Sequence, residues 1–280
     1  MSIATGTRVG SFWHDRRMQI GFIGVGQMGR PMVDRMVAAG HSVSAYVRRP
    51  ELGDELAGRG VTIRDSAVTL AAASDVLIVC LFSDVQQRRV LIDGGVAAAM
   101  QPGSVLVTHV TGSPRFSEEL VAAVADGVSV LDAPMSGTSD QIRAGTLAVL
   151  VGGDETALDR VRPILSSYSN PITHVGHLGD AQKIKLVNNL LFTVNLNAAV
   201  EAMRLAASMG IESGDLARVL RHTSGGSFVS NLMEHVPPES MMAAAKPYLV
   251  KDVAAVRAAA ADIGLELGPL GDLASWVDHD

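Results

Sequence analysis

With 280 residues, 48% of them hydrophobic and 19% charged, the chain can bury sizeable cores, and one or two domains is the expected organisation. A net charge of −6 argues against a nucleic-acid-binding face or a partner membrane of anionic lipid. Cys80 is the only cysteine, which rules out an internal disulfide and suits a reducing cytoplasm.

The opening "MSIATGTRVGSFWHDRR" lacks the apolar core of a signal peptide, and no apolar run is read as reaching the roughly 18–20 residues of a membrane helix. Residues 1–17 are expected to be a disordered extension, or the product of a start codon placed too early. From Met18 onward, eight short strand-like runs follow: "MQIGFIG", "SVSAYV", "GVTIRD", "DVLIVCLF", "SVLVTHV", "VSVLDAP", "TLAVLVGG" and "ITHV". Amphipathic segments such as "GRPMVDRMVAAG" separate most of them. Strands that are apolar throughout belong to sheets covered on both faces, so residues 18–179 predict an α/β, Rossmann-type doubly wound domain.

After "HLGD" the β-character stops. "AQKIKLVNNLLFTVNLNAAVEAMRLAASMG" has no proline and no internal glycine before Gly210, and reads as one long helix. "SGDLARVLRHT", a segment around "SFVSNLMEH", and "YLVKDVAAVRAAAADIG" continue an all-α domain over residues 180–280. His174 and His177 come closest to a ligand pair, but no cysteine or acidic cluster joins them, so no metal site is expected.

The first strand runs into "GFIGVGQMGRPM", with Gly24, Gly26 and Gly29 in the spacing of a dinucleotide loop that also contains Val25, Gln27 and Met28. The first glycine permits the tight turn, the second lets backbone approach a pyrophosphate, and the third lets helix and strand close up. At the end of the second strand an acid would take the ribose 2′-hydroxyl of NAD. Val47 stands there instead, followed by Arg48 and Arg49. Guanidinium groups suit a 2′-phosphate, so NADP is favoured over NAD, with Glu51 and Asp54 near enough to leave some NAD use open. The competing reading is that both arginines are ordinary solvated loop charges.

These blocks, together with "DAPMSG…AGTLAVLVGG", "GDAQKIKLVNN", "EAMRLAASMGI" and "LVKDVAAV", occur in the order found in the β-hydroxyacid dehydrogenases. The chain resembles that family from Met18 to about Pro269. The family includes 3-hydroxyisobutyrate dehydrogenase, tartronate semialdehyde reductase and the glyoxylate/succinic semialdehyde reductases. The resemblance implies a catalytic lysine four residues before an asparagine on the long helix. Lys185 and Asn189 have that spacing, which places both on one helix face, while Lys183 lies about 200° round the helix and reads as a solvated lysine. Glu201 also falls at the family's distance from Lys185.

By the same resemblance, Ser136 and Gly137 would hold a substrate carboxylate. Thr138 replaces the family's second glycine and would narrow that site. Thr111 would keep a role beside cofactor and substrate, whereas Val110 replaces a serine and would turn one wall apolar. Leu81, Phe82 and Lys251 would contact the cofactor, and Asp252 is assigned only a capping or pairing role. The implied enzyme is a homodimer or homotetramer acting on a small carboxylate. Imine reductases are a rival, disfavoured by the lysine at 185; a longer helical domain would be needed for 6-phosphogluconate dehydrogenase. A catalytically silent NADP-binding interaction module is the rival from another class, and Lys185 with Asn189 argues against it.

Overall fold

A computed structural model describes residues 18–278, so the expectation for residues 1–17 lies outside the described residues. Parallel strands β1 (Gln19–Ile23), β2 (Ser42–Tyr46), β3 (Thr62–Ile63), β4 (Val76–Val79), β5 (Val105–Thr108) and β6 (Ser129–Asp132) lie in the spatial order 3-2-1-4-5-6. Helices α1 (Gly29–Ala38), α2 (Pro50–Ala57), α3 (Ala67–Ala72), α4 (Asp84–Gln87), which runs into a π-helical turn over Arg88–Asp93, and α5 (Pro114–Ala123) make the connections. Every residue of β4 and β5 is buried, as a strand covered on both faces requires. Ile20, Phe22, Ile78 and Val107 point into one core with Met32 and Met36 of α1. Ile23, Leu77, Val79 and Leu106 point into the opposite one with Phe116 and Leu120 of α5.

The sheet continues through β7 (Met135–Ser136), α6 (Ser139–Ala144), β8 (Leu147–Gly152), α7 (Glu155–Leu165) and β9 (Ser169–Gly176). β8 runs antiparallel to β6 and β7 and parallel to β9. Two features differ from the sequence expectation. β7 is a ninth strand, hidden inside "DAPMSG" because two residues carry no periodicity. The far side of the sheet is mixed rather than wholly parallel.

Helix α8 (Asp180–Ser208) is a single rod of 29 residues. Around it pack α9 (Ser213–Leu220), α10 (Phe228–Leu232), α11 (Pro238–Asp262) and α12 (Pro269–Leu273). Leu186, Leu190, Leu196, Val200 and Met203 of α8 form a separate core with Leu249, Val253 and Val256 of α11. α11 begins ten residues before the segment read from the sequence and passes through Pro247. A proline at that point removes one helical hydrogen bond, yet the alanine-rich turn before it favours helix strongly enough to continue. By length and a mean hydropathy of 1.2, α8 also meets the size and composition test for a membrane span, contrary to the sequence expectation. One face of it is nevertheless buried against the surrounding helices.

Candidate active site

The three glycines of the loop have different steric surroundings. Gly24 has φ +98°, and a Cβ there would stand 2.1 Å from the Cys80 carbonyl oxygen at the end of β4. A Cβ on Gly29 would meet the Gly24 carbonyl oxygen at 2.2 Å, so α1 can approach β1 only with glycine at that place. Around Gly26 nothing lies within 4 Å. That open side, next to the first turn of α1, is where a pyrophosphate can reach backbone N–H groups. The donor set therefore fits a dinucleotide. Val25 is buried beneath the loop, Gln27 is exposed, and Met28 is the residue preceding α1. Val47 packs on the core at the end of β2, while Arg48 and Arg49 are exposed.

On the β4 side, Leu81 packs under the loop and Phe82 is half exposed. The Phe82 ring reaches the helical domain: its centroid lies 6.0 Å from that of Tyr248 and 5.5 Å from Lys251 Nζ. Lys251 Nζ also donates to the Thr111 carbonyl oxygen at 3.3 Å and lies 2.7 Å from Asp252 Oδ1, in an ion pair whose geometry falls short of a hydrogen bond. Phe82, Thr111 and Lys251, three residues singled out in the sequence, thus meet at one place.

Lys185 and Asn189 are both 8% exposed, on the buried side of α8. Asn189 Nδ2 donates to Asp252 Oδ2 at 2.6 Å, and Asn189 Oδ1 accepts from Asn188 at 3.0 Å. Burial pushes the Lys185 ammonium down from 10.5 to about 8, against the pull of Asp252 and with help from the like charge of Lys251. Lys183, in contrast, is exposed and pairs with Asp180 at 2.9 Å. Asp252 was assigned only a pairing role from the sequence; it is the buried carboxylate that joins Asn189 and Lys251 beside Lys185. Glu201 lies about 24 Å further along α8 and pairs with Arg204 on the surface, so it is outside this cluster.

One expectation, the apolar wall at Val110, needs correction. Val110 is 2% exposed, so its side chain is enclosed by core and forms no open wall. Thr138 is exposed and sits at the N-cap of α6, with its N–H donating to Gln141 Oε1 at 2.9 Å. Its place is set by helix capping. Ser136 is half-buried, opposite Ala148 in the β7–β8 pair, and Gly137 takes φ +143° where a Cβ would meet Gln141 Oε1 at 2.6 Å. Among the described residues, no hydrogen bond or ion pair joins this loop to Lys185 or Asn189. Sequence reasoning also missed Gln182 and Asp132, whose bonds anchor the first turn of α8.

Residues 19–176 match the family model described as the NAD binding domain of 6-phosphogluconate dehydrogenase. Residues 179–276 match that described as NAD-binding of NADP-dependent 3-hydroxyisobutyrate dehydrogenase. The chain belongs to the β-hydroxyacid dehydrogenase family, and its activity is that of an NAD(P)-dependent hydroxyacid dehydrogenase. It is 34% identical over 212 residues, 75% of this chain and 71% of the relative, to the NAD-dependent L-serine dehydrogenase of Pseudomonas aeruginosa. To the 2-hydroxy-3-oxopropionate reductase of Escherichia coli it is 33% identical over 219 residues, covering 78% and 74%. Among solved structures, the 3-hydroxyisobutyrate dehydrogenase of Mycobacterium tuberculosis with L-serine superposes with a TM-score of 0.82 at 31% identity, over 94% of this chain and 93% of that one.

Proposed function

We propose that this enzyme prefers NADP(H) and interconverts a small 3-hydroxy acid with its semialdehyde or keto counterpart, Lys185 serving as the proton-transfer group. The observation that carries the reading is the dry setting of Lys185, one helical turn from Asn189 and beside Asp252. A lysine titrating near 8 supplies both protonation states near neutral pH, as a base for the alcohol and an acid for the carbonyl. Asn189 spends one amide N–H on Asp252, and its other N–H is left to orient the substrate oxygen. A bound nicotinamide cofactor supplies or accepts the hydride.

The loop Gly24–Gly29 would hold the cofactor's pyrophosphate, with Leu81, Phe82, Thr111 and Lys251 toward the nicotinamide end. Arg48 and Arg49 would take a 2′-phosphate; their exposure at the end of β2 and the apolar Val47 in place of an acid support this choice. Ser136, Gly137 and Thr138 would anchor the substrate carboxylate, the Ser136 hydroxyl and the Gly137 N–H being the donors with the Thr138 hydroxyl beside them, since the Thr138 N–H is given to Gln141. Serine and 3-hydroxyisobutyrate, the substrates in the relatives' names, share a carboxylate two carbons from the carbinol. That common geometry supports the same substrate class here. A panel of 3-hydroxy acids, followed by NADPH absorbance with wild type and Lys185→Ala, tests the reading. A kcat that Lys185→Ala lowers by less than about tenfold overturns it.

A homodimer or homotetramer in the cytoplasm completes the proposal. Its support is an uncharged stripe of exposed Ile184, Val187, Leu191, Leu205 and Met209 along α8, suited to a second copy of the chain. Leu191→Asp should then lower the mass found by light scattering, and an unchanged mass would count against this face.

A further inference from the structure

Gln182 is buried, 2% exposed, three residues before Lys185 on α8. Its backbone N–H donates to Asp132 Oδ2 at 2.9 Å, while Asp132 Oδ1 accepts from the Gly179 N–H at 2.8 Å. Those two bonds fasten the start of α8 to the end of β6. The side chain does something different. Its Nε2 donates to the Val110 carbonyl oxygen at 2.8 Å, and its Oε1 accepts the Gly112 N–H at 3.0 Å. The carboxamide therefore grips the two peptide groups on either side of Thr111. From the opposite direction, Lys251 Nζ reaches the Thr111 carbonyl oxygen, and Asp84 Oδ2 accepts the Ser113 N–H at 2.7 Å. A Cβ on Gly112 would stand 1.9 Å from Asp84 Oδ1, so this segment has no room to shift toward α4.

We propose that Gln182 is a positioning residue, whose carboxamide fixes the spacing between the Thr111 segment and Lys185 one helical turn away. This rests on the reading of Lys185 as the proton-transfer group and of Thr111 as a cofactor-side residue. Only glutamine matches the demand: one donor and one acceptor in a plane, on a stem long enough to reach from helix to loop. Docking α8 on the sheet does not need the side chain, because Asp132 already holds two N–H groups of the first turn. With Gln182 in place, the transferred hydride and proton are aligned by one rigid connection, and small misplacements there are expensive in rate.

The test is the isosteric variant Gln182→Met, in the full chain with NADPH. It should lower kcat roughly 10- to 100-fold while the NADPH Kd changes by less than about threefold. The primary isotope effect on kcat, with cofactor deuterated at the transferred position, should rise as hydride transfer becomes limiting. In ¹³C-lysine NMR, the Lys185 midpoint should move up from its wild-type value as the cleft loosens. A lower Tm with kcat, isotope effect and midpoint all at wild-type values would overturn the proposal. Should Gln182→Met not fold, Gln182→Glu is read by the same three measurements; it keeps the acceptor for Gly112 and loses the donor to Val110. If the wild type oxidises no hydroxy acid in the panel, the functional reading falls, and the lysine midpoint alone then judges Gln182.

Discussion

Replacing Lys185 by methionine should make the apoenzyme more stable at neutral pH while removing most of its activity. A fall in the lysine pKa from 10.5 to about 8 corresponds to about 3 kcal/mol by which the folded state disfavours the ammonium. The folded chain releases its proton more readily than the unfolded one, so the unfolded state binds more protons between the two values. Stability attributable to this group therefore rises with pH from about 8 to 10.5, and the cost is fully present below 8. Methionine nearly matches lysine in shape and carries no charge, so Lys185→Met should recover about 1–3 kcal/mol at pH 7, the lower end allowing for the lost attraction to Asp252. Urea denaturation of both proteins at pH 7 and pH 10 measures it. The difference should shrink to about 1 kcal/mol or less at pH 10. A variant less stable than wild type at pH 7, or a difference that does not change with pH, would refute the claim that this ammonium sits desolvated.

The glycine loop separates folding from binding. Gly29→Ala forces a Cβ against the Gly24 carbonyl and should lose at least about 1–3 kcal/mol in thermal or urea unfolding. Gly26→Ala meets nothing within 4 Å, so it should unfold within about 0.5 kcal/mol of wild type yet bind NADPH more weakly in fluorescence titration. Arg48→Ala with Arg49→Ala should weaken NADPH binding roughly 10- to 100-fold and NADH binding little, with the wild-type gap narrowing as salt rises. For Ser136→Ala, one charge-assisted hydrogen bond is lost, so kcat/KM should drop about tenfold or more with the NADPH Kd unchanged. Val110→Ser should act mainly on stability, because the side chain lies in the core.

What could be read from the sequence had its cause close by in the chain. Gly24, Gly26 and Gly29 were legible because their spacing between a strand and a helix is itself a local pattern, and Gly29 meets the Gly24 carbonyl five residues back; the Cys80 carbonyl that confines Gly24 lies 56 residues away and was not legible. Lys185 and Asn189 were legible because helical period alone puts them on one face, and the family resemblance chose between the two lysines. The bonds that make them a site were hidden by distance. Asn189 meets Asp252 63 residues away, and Gln182 meets Val110 72 residues away. Nothing local announces such pairs. Val110 was misread because a strand's end gives no sign of which way its last side chain turns; burial decides that, and burial depends on the whole sheet. His109 illustrates the same limit, a polar residue within the apolar run "VLVTHV". Its ring is buried and tied to the Ala133 carbonyl oxygen and the Tyr168 hydroxyl, so it belongs to the core.

The claim that Lys185 transfers the proton is tested most directly by the pH dependence of kcat, measured in both directions with wild type and Lys185→Ala on the best substrate of the panel. Oxidation needs the neutral amine and should rise through a midpoint near 8, whereas reduction needs the ammonium and should fall through the same region. Lys185→Ala should cut kcat roughly 10²- to 10⁴-fold and remove that midpoint, with NADPH binding almost unchanged. A variant that keeps both its rate and the wild-type midpoint would contradict the account.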